Sequence, residues 1–272
     1  MATILDSPAV LHGKRIVVIG GTGGIGLSGV KAFVAAGACV VAVGLDREDV
    51  PPLTRDSGKA ARFIHSDATQ SETAPKAIEE CLKAFGGFDG LYHVAGGSGR
   101  RWGDGALHEI SNDGWRLTLE LNLTSVFYSN RAAVRQFLSQ KTGGTVLNVT
   151  SVLAFSPAGQ HFATHSYAAA KAGIIGLTKS CASRYAADAV RFNALAPGLV
   201  NTAMAQRATN DPQIMAFVKT KQPLDGGRIG NPSDLDAAAV FFMSDASRFT
   251  TGQVLAIDGG WSVTGGQMPI SS

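Results

Sequence analysis

Short apolar runs rich in β-branched residues alternate along the chain with longer segments of helical periodicity. The runs Arg15–Ile19, Cys39–Val43, Arg62–His65, Gly90–Val94, Thr145–Val149, Arg191–Leu195 and Gln253–Ile257 read as strands. Their near-continuous Val/Ile content suits strands buried on both faces. Helical patterns cover Ile25–Ala36, Ser71–Phe85, Asp113–Leu138, His165–Tyr185 and Ser233–Met243, with Gly37 and Gly86 as stops and Ser233 as an N-cap. Such alternation predicts an α/β fold, a doubly wound Rossmann-like seven-stranded parallel sheet with helices on both faces. Residues 1–272 read as a single domain. Asn201–Arg228 departs from the rhythm with mixed polarity, and is long enough to be a lid over a substrate.

Composition narrows the field. The 272 residues are 45% hydrophobic and 17% charged, enough apolar material for a sizeable core. A net charge of +3 without a clustered basic stripe argues against a nucleic-acid partner. The longest uncharged apolar stretch, Ala32–Leu45, falls short of the roughly 18 residues of a membrane span and is split by Gly37. Met1–Asp6 lacks the basic start of a secretion signal. Cys39, Cys81 and Cys181 form neither a disulfide framework nor a metal-ligand pattern. These features predict a cytoplasmic protein with no membrane partner and no bound metal.

The first strand runs into Gly20-Gly-Thr-Gly-Gly-Ile-Gly26, where a helix begins. Glycines at such a turn let the backbone approach a pyrophosphate on the positive end of the helix; the alternative is a tight turn and nothing more. A dinucleotide site also wants an acid about 20 residues on, and Asp46 lies there, unless it belongs only to the solvated turn Asp46–Asp49. Asp67 could reach an adenine edge or cap the following helix. Tyr167 and Lys171 stand at i and i+4, on one helix face. An ammonium there would stabilise a phenolate and pull the tyrosine below its ordinary pKa near 10, making it a usable acid/base.

Five segments in register resemble the short-chain dehydrogenase/reductase family. They are the glycine turn, Asn148-Val-Thr-Ser151, Tyr167-Ala-Ala-Ala-Lys171-Ala-Gly173, Asn193-Ala-Leu-Ala-Pro197-Gly198, and Gly252-Gln-Val-Leu-Ala-Ile-Asp258-Gly-Gly260. The resemblance spans about Leu11 to Trp261. It implies hydride transfer between a nicotinamide and a secondary alcohol/ketone pair. Tyr167 would be the acid/base, Ser151 the partner of the substrate oxygen, Lys171 the group that tunes Tyr167 and holds the ribose, and Asn122 the support of a proton relay. Implied cofactor contacts are Gly20, Thr22, Gly24, Ile25, Gly26, Asp46, Asp67, Ala68, Ala95, Gly96, Tyr167, Lys171, Pro197, Gly198, Val200 and Thr202. An epimerase or dehydratase with tightly held NAD, and a non-catalytic cofactor-binding scaffold, are the rival readings.

Several positions depart from the family pattern. Ile19 replaces the usual threonine before the first glycine, and His93 begins His93-Val-Ala-Gly96 where two asparagines are usual, which leaves open how this strand is tied to its neighbours. Ser151 and Tyr167 are sixteen apart, so Gln160–His165 lengthens the loop at the substrate mouth. Ser156 competes with Ser151 as the catalytic serine. Gly44 occupies the coenzyme-selecting position. Asp46 reaching back to the ribose favours NAD; space at Gly44-Leu45 with Arg47 as partner would favour NADP. Arg100, Arg101 and Trp102 form either a solvated loop or a polar handle on the substrate; His161 and Phe162 either line the pocket or pack the loop, and His165 either lines the pocket or simply precedes the helix. Met204, Met215 and Phe217 suit the underside of a lid or a helix face packed on the body. In this family the long helices pair between subunits, so a homotetramer is expected, with a dimer next.

Overall fold

A computed structural model describes residues 10–45 and 60–266. Its seven strands are β1 (Arg15–Ile19), β2 (Cys39–Gly44), β3 (Ala61–His65), β4 (Gly90–His93), β5 (Gly144–Val149), β6 (Val190–Pro197) and β7 (Val254–Ile257). All pair in parallel, in the order β3-β2-β1-β4-β5-β6-β7. Parallel strands need crossovers, and seven helices of eight residues or more supply them or pack beside them: α1 (Gly24–Ala35), α2 (Thr73–Phe85), α3 (Asn112–Leu119), α4 (Ser125–Gln140), α5 (His165–Tyr185), α6 (Pro212–Lys221) and α7 (Asp236–Met243).

Period-2 alternation sorts the strand residues into two cores. Ile16 and Val18 of β1 join Val40, Ala42, Tyr92 and Leu147 beneath α1 and α7. Val17 and Ile19 join Val41, Val43, Leu91 and Val146 beneath α2 and α4, where Phe88 and Phe137 stack at 4.8 Å. Burial on both faces explains why these strands carry so few polar residues. No helix among the described residues is long and apolar enough to cross a membrane.

Element boundaries differ from the sequence reading by one or two residues, with two exceptions. The expected helix Asp113–Leu138 is interrupted by a π turn, Glu120–Thr124, between α3 and α4. No proline or glycine marks it. Side chains take up carbonyls at the irregularity: Asn122 Nδ2 donates to Thr118 O at 3.0 Å and Ser125 Oγ to Leu121 O at 2.6 Å. The last helix begins at Asp236, and Ser233 lies inside the 3₁₀ turn Pro232–Leu235 that leads into it; Asn231 caps that turn, with Asp234 Oδ2 accepting the Asn231 amide at 2.7 Å. Gly86 ends α2 in the left-handed conformation (φ 75°), as expected of that stop. Residues 201–228 are folded into α6, the single turn Gln206–Thr209 and shorter 3₁₀ turns.

The glycine turn is a place of backbone contact. A Cβ on Gly26 would stand 1.9 Å from the Gly20 carbonyl oxygen, and one on Gly20 (φ +89°) would stand 2.5 Å from the Ala95 nitrogen. Gly26→Ala is therefore expected to lower unfolding free energy by about 3 kcal/mol, the upper part of the overpacking range. Gly159→Ala, with nothing within 4 Å of the added carbon, should be nearly neutral. Urea unfolding of the two variants side by side measures this.

Candidate active site

In a parallel sheet every strand delivers its following turn to the same edge, and the crevice opens where the strand order reverses, here between β1 and β4. The glycine turn after β1, Ala95-Gly96 after β4, Ser151 after β5 and Gly198–Thr202 after β6 all lie on that edge. Gly24 (φ +50°) sits against Thr202, whose Cγ2 would be 3.1 Å from an added Cβ. The N-terminus of α1 has no side-chain cap and no acidic residue in its first turn, so its amides and positive dipole end are free for an anion. This cradle fits a pyrophosphate.

α5 brings up the chemistry. Ser151, 6% exposed, lies close enough to the Tyr167 phenol to influence its pKa, and its Oγ accepts the Leu153 amide at 3.2 Å. The backbone carbonyl of Ser156 accepts Trp261 Nε1 at 3.0 Å. Lys171 is 3% exposed; its Nζ lies 5.6 Å from the Tyr167 ring centroid and donates to Val149 O at 2.9 Å. Asn122 Nδ2 donates to Gly97 O at 2.9 Å while its Oδ1 accepts the Gly97 amide at 3.0 Å. A Cβ on Gly96 would lie 2.8 Å from Asn122 Oδ1 and 3.3 Å from Lys171 Nζ, so these two polar groups converge on a glycine that leaves room between them.

The electrostatics depart from the sequence expectation. Burial pushes the Tyr167 phenol up to about 12, with the nearby Ser151 hydroxyl acting the other way. The downward pull expected from Lys171 is not the dominant influence, since desolvation penalises any charge here. It also brings the lysine itself down to about 8.

The remaining expected residues are placed unevenly. Thr22 is buried, and its side chain occupies the space over Gly44: a Cβ there would meet Thr22 Oγ1 at 2.3 Å. Ile25 and Ala68 pack against the two cores. Asp67 Oδ1 accepts the Thr69 amide at 2.9 Å, closing a local turn rather than capping α2. Pro197 ends β6, the Gly198 amide donates to Ile257 O at 3.2 Å, and Val200 bridges to Gly230. Asp46 and Arg47 lie outside the described residues. Gln160–Phe162 form part of a single helical turn, Gly159–Phe162, with the His161 ring 5.1 Å from Phe217 and Phe162 edge-on to Trp261. Among the described residues no cluster of potential metal ligands occurs.

Two residues, Asp104 and Gln222, escaped the sequence reading, and His93, flagged there, finds its partners. Asp104, 3% exposed, accepts the amides of Ser166 and Tyr167 on its two carboxylate oxygens, at 2.9 and 3.0 Å. Thr164, the N-cap of α5, makes no side-chain cap, so the helix carrying Tyr167 takes its capping carboxylate from 62 residues away. No local capping motif could reveal this. Gln222, 2% exposed, clamps the loop after β6: Oε1 accepts the Leu199 amide at 2.6 Å and Nε2 donates to its carbonyl at 3.3 Å. The fully buried His93 ties β4 to α4: Nδ1 lies 2.7 Å from Ser129 Oγ, and Nε2 donates to Ala95 O at 3.2 Å. Burial foremost, and the nearby Lys171 charge, push its pKa down to about 3.

A family profile described as enoyl-(acyl carrier protein) reductase matches residues 20–262. A 2,5-dichloro-2,5-cyclohexadiene-1,4-diol dehydrogenase of Sphingobium indicum is 33% identical over 93% of this chain and 98% of its own. A 3β-hydroxysteroid dehydrogenase of Eggerthella lenta is 34% identical over 93% and 95%. Among solved structures, a short-chain type dehydrogenase/reductase from Mycobacterium ulcerans superposes with a TM-score of 0.83 at 28% identity, covering 94% of this chain and 92% of that one.

Two outcomes follow from the site's buried charges. Asp104→Ala removes two hydrogen bonds to a carboxylate and should cost about 3 kcal/mol of unfolding free energy, with Asp104→Asn, which keeps one acceptor, losing less; chemical denaturation of both variants checks this. His93 is neutral in the fold, whereas the unfolded chain protonates it below pH 6.5. Its contribution is therefore lost as pH falls from 6.5 toward 3. In His93→Asn the fall in stability between pH 7 and 4.5 should be smaller by roughly 2 kcal/mol, at 1.36 kcal/mol per pH unit, measured by urea titration at both pH values.

Proposed function

The chain belongs to the short-chain dehydrogenase/reductase family, and from that premise we propose that Ser151, Tyr167, Lys171 and Asn122 carry out its oxidoreductase chemistry on a secondary alcohol/ketone pair. What supports the reading is the convergence of Tyr167, Ser151 and Lys171 beside the glycine cradle. A bound nicotinamide dinucleotide supplies the hydride acceptor or donor; the protein supplies position and the proton path. The turn Gly20–Gly26, Thr202 and the free end of α1 would hold the pyrophosphate, Ala95-Gly96 the adenosine side, and Lys171 the nicotinamide ribose.

The substrate oxygen stands between two hydroxyls. Ser151 fixes it by a hydrogen bond and stabilises charge as it develops. In ketone reduction the neutral Tyr167 phenol hands its proton to that oxygen; in alcohol oxidation the same oxygen atom of Tyr167 takes the proton back. A phenol held high by burial is an acid ready to donate, and its deprotonated form is reached toward alkaline pH. Lys171, brought down to about 8, gains or loses its own proton near working pH. Asn122, seated on the π turn and clasped to Gly97, holds the space through which a proton reaches Lys171.

Among the coenzymes we favour NAD, with NADP as the alternative. The room that Gly44 leaves is filled by Thr22, which supports the smaller, unphosphorylated ribose. We also propose one domain over residues 1–272, with residues 201–228 as the substrate lid. Ala208, Ile214 and Val218 of that segment pack with Val152, the neighbour of Ser151. Trp115, Phe127 and Leu138 of α3 and α4 are 40–43% exposed, which supports pairing of these helices in a cytoplasmic homotetramer, with a dimer next.

Tyr167→Phe should lower kcat at least 10²-fold, the lower end for general acid–base catalysis, while NADH binding followed by fluorescence stays within a factor of about two. Oxidation should accelerate toward alkaline pH and reduction should not, in assays of nicotinamide absorbance over a panel of ring and open-chain alcohols and ketones with both coenzymes. Retained turnover in Tyr167→Phe would reject the assigned acid.

A further inference from the structure

The lengthened loop ahead of α5 is held from both sides by arginines. Arg100, on the turn after β4, donates from Nη2 to Ala163 O at 3.1 Å. Arg207, in the segment 201–228, donates from Nη2 to His161 O at 3.1 Å. Neither has a carboxylate within salt-bridge reach among the described residues. Each guanidinium offers five N–H donors, so most of both forks is unengaged by the loop. The two charges also feel each other. After partial burial, the largest influence lowering the Arg100 pKa is the positive charge of Arg207, with Asp104 opposing it. A pair of like charges only partly offset by Asp104 is held here, beside a partly buried loop, and a ligand anion would relieve it.

The surroundings say what the rest of that ligand must be. Phe162, Phe217 and Trp261 form an edge-to-face group, joined by Leu153, the second residue beyond Ser151, and Leu199, the first beyond Gly198. The Arg207 guanidinium carbon stands 5.9 Å from the Phe162 ring centroid. His161 Nε2 is buried without a hydrogen-bond partner in this same group. Arg101, by contrast, is stacked on Trp102 at 4.0 Å, so the polar handle considered for Arg100 and Arg101 is relocated to Arg100 and Arg207. Ala163, which Arg100 holds, precedes Tyr167 by four residues, so that contact lies at most about 14 Å along the backbone from the Cα that carries the phenol.

We propose that Arg100 and Arg207 form an anion subsite for a substrate whose apolar body lies against Phe162, Leu153 and Trp261 and which ends in a carboxylate remote from its carbinol carbon. A carboxylate is favoured over a phosphate by charge. Two arginines and Asp104 leave one net positive charge, matching a monoanion. Planar carboxylates also accept guanidinium forks in pairs of parallel hydrogen bonds. The placement of this subsite relative to the reacting carbon rests on the oxidoreductase reading; the anion recognition itself does not.

The test uses cyclohexylacetate and the neutral cyclohexylacetamide as probes, with binding to the full chain followed by ligand-observed NMR titration. Wild type is expected to bind the acid at least tenfold more tightly than the amide, with the preference shrinking as NaCl is raised from about 50 to 500 mM, several-fold in Debye screening. Arg100→Gln and Arg207→Gln keep an amide donor for the loop carbonyls while removing charge; the double variant should bind acid and amide alike. Equal binding of the two probes by wild type overturns the proposal, as does an acid preference that survives in the double variant. If the double variant does not fold, the wild-type preference and its salt dependence decide. Turnover by wild type of the panel of ring and open-chain alcohols and ketones, acid-bearing members included, with both coenzymes is scored separately. An acid preference without turnover leaves the subsite standing and removes the redox reading, and turnover with equal probe binding does the reverse.

Discussion

Everything functional in this protein depends on the strands running one way. With all seven parallel, each carboxyl end points to one edge, and each following turn must be built there. Residues more than a hundred positions apart become neighbours without any long-range sequence signal beyond the repeated strand–helix rhythm. The edge is tight where β1 meets β4. Gly20 against Ala95, and Gly26 against Gly20, are contacts between backbones, and a single methyl group would separate them. The cradle is therefore a by-product of packing, and the affinity for an anion comes from amides that the fold leaves facing outward at the start of α1.

The turn after β4 has a second task. At its start Gly97 exchanges two hydrogen bonds with Asn122 on the π turn, and at its end Asp104 caps the helix that carries Tyr167. Between them Gly99 lies so close to Thr118 that a Cβ would stand 2.0 Å from its hydroxyl. One short segment thus fixes the relative position of α3, the π turn and the first turn of α5. Tyr167 and Asn122 come from different helices, and this segment ties the two together. A cap supplied by a distant carboxylate also couples Tyr167 to the arginine-bearing loop that shares the same segment.

How much of this could be read from residue order depends on whether the cause is local. Strands with unbroken Val/Ile content and helices ending at Gly37 and Gly86 announce themselves, because burial on both faces and left-handed caps are properties of a few adjacent residues. The glycine turn and the pairing of Tyr167 with Lys171 are also local spacings, as is the Ser151 match at a strand end. The π turn was hidden because its cost is met by Asn122 and Ser125 side chains, residues unremarkable in a helical pattern. Asp104, Gln222 and Arg207 were hidden for another reason: each acts on backbone that lies 23 to 62 residues away, a relation set only by the folded topology.

The same distinction governs the electrostatics. From sequence, an ammonium one helical turn from a phenol predicts an easier phenolate, because charge–charge attraction is all that spacing can show. Folding adds desolvation, which acts on both groups at once and in opposite directions, raising the phenol to about 12 and lowering the lysine to about 8. Two groups moved in this way are both biased toward neutrality. That favours a site in which a proton is shared among hydroxyls and an amine over one that stores a fixed ion pair. His93, held neutral beside them at about 3, belongs to the same regime: the interior behind the reacting edge rejects charge. The arginines sit at its rim, where partial solvent still supports them. A substrate with an anionic end and an uncharged carbinol is the kind of molecule such a gradient would orient, its charge held at the mouth and its reacting carbon carried inward.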